Sequence, residues 1–405
     1  MSSFNSYLKY RHFDWNAFYS SWQKMIIGTE DFSTLEGDKK RSESDRLRDR
    51  IKTLWKSFNE NRDEFTKKYS DEKKFVAAYI SSFYMPNIQR TFAILTNRQN
   101  AHLLKNICKC QDELVILDFG AGPLSATAGF LISLDFAGID LTGKKIKIMS
   151  VERSSNMLNA GFELLKAAFP SLEIEHNNYS SALKVPENAD IILCANVFNE
   201  IPEKHRLVTL ESLINVMKGN LLIIEPGQDV HSRSLGSLRN ALLKEMHGKF
   251  RVLSPCLHTL ECPLSSESER TDWCWFKNTW YVPEGVTFID RITGIDHRQL
   301  NYSYLFIDNN EPSVPQKGWK VISDIILPVG PNNRSRFENW MRNNIIEGNS
   351  KCLFHVQNAN VGKVLLCSHD GKLASIIGNK EFLASAKRGF VINSVPQGTC
   401  LCKER

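Results

Sequence analysis

Four short apolar runs recur between residues 112 and 227, and each closes on an acid, an amide or a glycine: LVILDFGAG, KIKIMSVER, ADIILCANVFNEIP and NLLIIEPG. Segments of helical periodicity, SSNMLNAGFELLKAAF and EKHRLVTLESLINVMK, lie between them. A short, continuously apolar run bounded by turn residues reads as a strand buried on both faces. Strand and helix in alternation dictate a parallel sheet with right-handed crossovers. The expected fold is α/β, a doubly wound and mostly parallel sheet. No run approaches the roughly 18 apolar residues of a membrane-spanning helix, so no membrane partner is expected. The start, MSSFNSYLKYRHFDWNAFYSSW, holds no compact apolar segment of a secretory signal. The expected compartment is the cytoplasm, or the mitochondrion in a eukaryotic source.

The flanks follow other patterns. Residues 1–105 read as a helical region. In SESDRLRDRIKTLWKSFNENRDEF, Leu47, Ile51, Leu54, Trp55 and Phe58 form the stripe of an amphipathic helix. A second helical run, KKFVAAYISSFY, is expected to stop or kink at Pro86, whose ring opposes a continuing helix. A third, IQRTFAILTNRQNAHLLKNI, leads into the α/β domain, expected over 106–315. That domain carries a cysteine-rich irregular loop at 254–276. NYSYLFI, WKVISDIILPV, KVLLCS and GFVINSV then read as strands, and 316–405 is expected to be a small β-rich module.

Charge is distributed unevenly. The net +6 comes from 51 Lys and Arg against 45 Asp and Glu. Its basic share lies in the two flanks, 1–105 and 351–405, around an acidic centre. A polyanionic partner such as RNA accounts for that pattern; so do ordinary solvated helix faces.

In the sheet region the most informative motif is Asp118-Phe119-Gly120-Ala121-Gly122, which closes a strand and opens a helix. Glycines there let the backbone turn tightly and approach a ligand. The helix N-terminus behind them favours electron-rich groups. Glu152 ends the next strand, where a carboxylate can accept two ribose hydroxyl protons. Asn196, Asn199 and Glu200 follow the third run, at the edge where doubly wound sheets place their ligands. This grammar resembles class I S-adenosylmethionine (SAM) methyltransferases. Their third loop glycine is here Leu124, after Pro123; a dinucleotide pyrophosphate needs that glycine more strongly than SAM does, so NAD is the weaker reading. An empty strand-to-helix turn remains the bland one.

Ten cysteines in a chain without an export signal point to thiols, metal or catalysis rather than to disulfides. Cys256, Cys262 and Cys274 crowd one Pro- and Trp-rich segment. Thiolates need a metal or a positive environment near neutral pH. Zinc sites favour C-x2-C knuckles, which this segment lacks. The wider spacing suits an iron–sulfur cluster, with zinc as the lesser possibility. The pairs Cys108/Cys110 and Cys400/Cys402 stand apart, the latter as bystanders in the tail.

YISSFYMPNIQRTFAIL, LDFGAGPLSA, NVFNEI, IIEPG, PCLHTLECPL and DWCWF follow one another as in one known family. The chain resembles the methyltransferase-like assembly factors of the small ribosomal subunit, found in mitochondria and bacteria, from about 75 to 390. The resemblance implies a SAM-methyltransferase fold, a [4Fe–4S] cluster and contact with small-subunit ribosomal RNA or the pre-ribosomal small subunit. It matches Cys256, Cys262 and Cys274 to the family's clustered cysteines. A fourth, within Cys-x-x-x-Gly, falls on Cys367 before Gly371. Gly120, Gly122, Asn199-Glu200 and Glu225-Pro226-Gly227 match as well. Trp275 replaces a common His, and Leu257 replaces a proline beside the retained His258.

Two functions are in view. The first is an rRNA methyltransferase, with Asp118, Gly120, Gly122, Glu152 and Asn196 binding SAM and Asn199 and Glu200 nearest the transferred methyl; proximity then does much of the work. The Pro-Pro signature of amino-group methyltransferases is missing from NVFNEIP. The second is a catalytically silent RNA-binding assembly factor in which SAM and the cluster are structural or regulatory. A radical-SAM enzyme is set aside, since its C-x3-C-x2-C loop is not present.

Overall fold

The alternation of apolar runs and amphipathic segments becomes a parallel sheet in a computed structural model that describes residues 11–27, 37–60, 72–107, 112–186, 188–246, 248–265, 273–309, 317–327, 361–394 and 399–403. The chain divides into two units, one within Met1–Ile224 and Asn278–Leu300, the other within Glu225–Lys277 and Asn301–Arg405. Cys108, Cys110 and Cys352 lie outside the described residues, as do the side chains of Cys400 and Cys402.

The first unit begins with helices α1 (Trp15–Ile27), α2 (Gly37–Glu60), α3 (Lys73–Tyr79), α4 (Met85–Thr96) and α5 (Ala101–Ile107). The stripe expected on α2 is its packed face: Leu47, Ile51 and Leu54 are buried, with Trp55 and Phe58 partly so, against Phe75, Tyr79, Phe83 and Ile289. Pro86 does not end the second helical run. A π-helical turn over Ile80–Tyr84 joins α3 to α4, and the proline sits in the first turn of α4. At that position its missing N–H and fixed φ cost little. The third run breaks instead at Asn97, whose extended backbone ends α4. The Asn97 side chain accepts from the N–H groups of Gln99 and Asn100.

β1 (Glu113–Phe119), α6 (Ser125–Phe136), β2 (Lys145–Val151), α7 (Ser155–Ala168), β3 (Glu173–Asn178), β4 (Ala189–Ala195), α8 (Glu203–Asn215) and β5 (Met217–Pro226) follow. The strands run parallel in the order β3-β2-β1-β4-β5. The order reverses at β1, so the loops after β1 and β4 diverge and open a crevice at their carboxyl ends. β1 and β4 are almost wholly buried. β3 was not legible as a strand: EIEHNN has no apolar alternation and is only partly buried, because it lies at the sheet edge, where one flank stays wet. Asp135 ties the amino-terminal segment down, accepting from the backbone N–H groups of Arg11, His12 and Phe13 at 2.9 Å.

The second unit contains α9 (Asp229–Glu245), β6 (Arg251–Ser254), the start of β7 (Phe276–Thr279) and most of β8 (Gln299–Asp308). β6 and β8 are antiparallel, and Arg251 pairs with the buried Asp308 across them. β9 (Trp319–Val321), β10 (Val361–Ser368), β11 (Leu373–Asn379), β12 (Val391–Ile392) and β13 (Thr399–Lys403) make an antiparallel sheet in the order β12-β9-β10-β11-β13. Val321, Val364, Leu366, Ala374 and Ile376 form its core. The carboxy-terminal β-rich module expected from the sequence is this sheet. Of WKVISDIILPV only Trp319–Val321 is a strand; Ile326 adds one isolated bridge to Lys363.

Candidate cofactor site and cysteine centre

Asp118, next to last in β1, is only 1 % exposed, and its carboxylate accepts from the Thr127 hydroxyl at 2.7 Å. Burial pushes its pKa up to about 7, against the opposing pull of the Thr127 bonds. Gly120 turns the chain at φ +69°, and a Cβ there would lie 2.4 Å from Val197 Cγ2. Gly122 also has positive φ, but nothing lies within 4 Å of a Cβ built on it. Its N–H donates to Glu152 Oε2 at 2.9 Å, and the Ser154 N–H donates to Oε1 at 2.8 Å. Asn178 bridges the Glu152 backbone from β3. The loop glycines and the acid after β2 therefore meet at the crevice, beside open space.

Leu124 occupies the third glycine position and takes that glycine's left-handed conformation, φ 60°, at the N-cap of α6. Such a conformation costs a residue with a Cβ about 1–2 kcal/mol; complete burial of the leucine side chain offsets it at about 1.5–3 kcal/mol. Gly161 in α7 explains why the loop lies where it does: a Cβ there would meet Pro123 O at 2.1 Å.

Asn196 has φ 56° and donates to Asn87 Oδ1 at 3.3 Å. Asn199 and Glu200 form a 3-10 turn after β4, with Glu200 exposed. The structure adds residues that the sequence reading missed. Asn87 and Arg90 of α4 bond each other through Asn87 Oδ1, the atom that Asn196 reaches. Burial pushes the Tyr79 phenol well above its usual value, helped by the charges of Glu200 and Glu152 and opposed by Arg90 and a bond with Asn87. The available signal was the spacing of Asn87 and Arg90, three apart on an otherwise apolar helix face.

In the second unit Cys256, Cys262, Cys274 and Cys367 are half-buried and in no disulfide. They lie within electrostatic reach of one another. Burial raises the Cys262, Cys274 and Cys367 thiols, and the neighbouring cysteines raise them further. Leu264, Ile322, Leu365 and Leu373 pack around Cys262, Cys274 and Cys367. Cys256, Cys262 and Cys274 border a cavity of about 40 Å³ with Arg239, Trp273 and Leu264.

α9 organises the loop that carries three of these thiols. Arg239, 3 % exposed, donates to the carbonyls of His258 and Leu260 at 2.7 and 2.8 Å. Asn240 Oδ1 accepts from the Cys262 N–H at 2.9 Å. Trp273 donates from its ring to Gly227 O. Cys367 ends the β10 side of a hairpin whose Gly371, at φ +74°, sits 3.2 Å from Leu260 as measured from a built Cβ. That close approach accounts for the glycine in Cys-x-x-x-Gly. His258 Nε2 lies 3.5 Å from Cys367 Sγ.

Three cations face the thiols. Arg239 lowers Cys262 and Cys367, while Arg388 and Lys320 lower Cys274. Arg388 stacks 3.9 Å over Trp275 and donates to Trp275 O and Ile322 O. Burial lowers Lys320 to about 8. Among the described residues Arg239 Nε and His258 Nδ1 are buried without a hydrogen-bond partner. Thiols facing cations are the donor chemistry that a thiolate–metal centre would use. Among the described residues, no three His, Cys, Asp or Glu side chains are gathered closely enough to hold a metal ion in the arrangement observed.

A parallel sheet of order 3-2-1-4-5, with glycines after its first strand and an acid after its second, is a doubly wound nucleotide-cofactor fold of SAM-methyltransferase-like class. The family described as mitochondrial small ribosomal subunit Rsm22 matches residues 114–328, just over half of the sequence. The chain belongs to that family. No curated protein matches it. Similar solved structures include magnesium protoporphyrin IX methyltransferase of Synechocystis PCC 6803, at 9% identity over 64% of this chain and 97% of that one, TM-score 0.33. The plantazolicin methyltransferase BpumL is similar at 10% identity over 67% and 99%, TM-score 0.34. Precorrin-6y C5,15-methyltransferase of Geobacter metallireducens GS-15 is similar at 14% over 53% and 90%, TM-score 0.30. These likenesses are too low to add to the strand order, on which the fold class rests.

Proposed function

We propose that this chain binds SAM and an iron–sulfur cluster and acts on small-subunit ribosomal RNA during ribosome assembly, as an rRNA methyltransferase. The observation that carries the reading is the junction of Gly122 and Glu152 beside open space at the crevice. A carboxylate held there by backbone N–H groups is oriented to accept ribose hydroxyls, and Gly122 lets a ligand approach the backbone. Asp118, Gly120 and Asn196 complete the cofactor residues, with Asn199 and Glu200 beside the methyl. Cys256, Cys262, Cys274 and Cys367 would hold the cluster, which when bound would supply a polynuclear iron centre tying the loop to the β module. Membership of a small-subunit family supports the ribosomal partner.

Calorimetric titration with SAM, paired with labelled-methyl incorporation into precursor small subunits, tests the reading. The protein should bind SAM, and Glu152→Ala should weaken binding by about 1.5–3 kcal/mol, the range for hydrogen bonds to a charged acceptor. Unchanged affinity in that variant would refute the assignment. Binding without methyl incorporation would favour the silent assembly factor.

A further inference from the structure

Lys320 stands directly opposite Cys367 in the β9–β10 ladder. Opposed residues of an antiparallel pair project from the same face, with Cβ atoms about 4.5–5.5 Å apart. The lysine is therefore on the thiol side of the sheet. It is 3 % exposed, and its Nζ lies 5.6 Å from the centre of the Phe276 ring, two residues beyond Cys274. Taking an ammonium out of water costs several kcal/mol unless negative charge faces it. A cluster held by Cys367 and its neighbours would place that charge beside it.

Arg239 and Arg388 donate to peptide carbonyls of the cysteine segment and its surroundings, so they shape the backbone as well as its field. Lys320 carries a compact point charge on β9. We propose that Lys320 is the fixed counter-charge of the cysteine centre and raises its reduction potential. The inference rests on the reading that Cys256, Cys262, Cys274 and Cys367 hold an iron–sulfur cluster. One-electron reduction adds one negative charge to such a centre. An adjacent ammonium stabilises that reduced form more than the oxidised one.

Anaerobically purified holoprotein, titrated with dithionite as electron donor and followed by electron paramagnetic resonance, provides the test. In Lys320→Met that retains iron and acid-labile sulfide, the midpoint should move to more negative potential. In Lys320→Arg it should stay near the wild-type value. An unshifted midpoint in loaded Lys320→Met overturns the proposal. If Lys320→Met does not retain iron, the arginine variant decides: restored iron supports the counter-charge, and loss in both overturns it. Wild-type protein with zinc or no metal would remove the cluster reading itself, and the proposal with it, a result distinct from an unshifted midpoint.

Discussion

Gly161→Ala should destabilise this protein, although alanine is the better helix former. In an exposed helix interior the change gains about 1 kcal/mol. Gly161 lies in α7 with Pro123 O 2.1 Å from where the methyl carbon would be, and Pro123 C at 2.2 Å. That is about 1 Å closer than van der Waals repulsion tolerates, and the obstacle is backbone rather than a mobile side-chain end. The next residue, Leu124, is buried in a left-handed conformation, so the loop cannot yield without losing that packing. Overpacking of this kind costs up to about 3 kcal/mol. The net loss is about 2 kcal/mol, or roughly 4–8 °C in Tm for a unit of this size. Because Pro123 follows Gly122, SAM affinity should fall with stability. Urea unfolding, thermal melts and SAM calorimetry on the pair of proteins measure both effects. A Gly161→Ala protein about 1 kcal/mol more stable, with unchanged affinity, would refute the packing argument.

Asp118 carries a pH signature. Burial raises its pKa from 3.8 to about 7, so the folded state favours the neutral acid. Its stabilising contribution is complete below pH 3.8 and is lost as pH rises to about 7. Relative to wild type, Asp118→Asn should gain up to roughly 4 kcal/mol between pH 4 and 7 and nothing further above, read by urea unfolding across that range; a flat difference refutes the burial assignment. Serine at Cys256, Cys262, Cys274 or Cys367 should lower iron and sulfide content and stability, since ligation is also folding energy. Cys194→Ser, in β4 of the other unit, should leave the metal unchanged, and full iron in Cys367→Ser would dismiss the fourth ligand. Reversing the exposed Lys372, Lys380 and Lys387 should flatten the fall of small-subunit RNA affinity with salt, as counterion release requires; binding indifferent to salt would return the basic flanks to solvated surface. Arg388, basic in the same segment, does not belong to that set, because it is 6 % exposed and stacked on Trp275.

Local pattern was enough for the parts of this protein that repeat a simple period. The α2 stripe from Leu47 to Phe58, the buried runs of β1, β2, β4 and β5, and the glycine turn after Asp118 could all be read from residue order, because burial on one helix face or both sheet faces dictates which residues recur. Edge strand β3 could not, since a half-wet strand needs no apolar alternation. Pro86 misled for a related reason: a proline's effect depends on whether its lost N–H falls in a first turn, and the π turn at Ile80–Tyr84 decides that. Spacing alone pointed to three cysteines and a soft metal, and family resemblance to the fourth. The register that sets Lys320 opposite Cys367, the carbonyl grips of Arg239, the collision space behind Gly161 and the meeting of Asn87 with Asn196 came only from tertiary structure. Each joins residues from 19 to 109 positions apart, and no local period encodes which distant backbone will arrive at a given side chain.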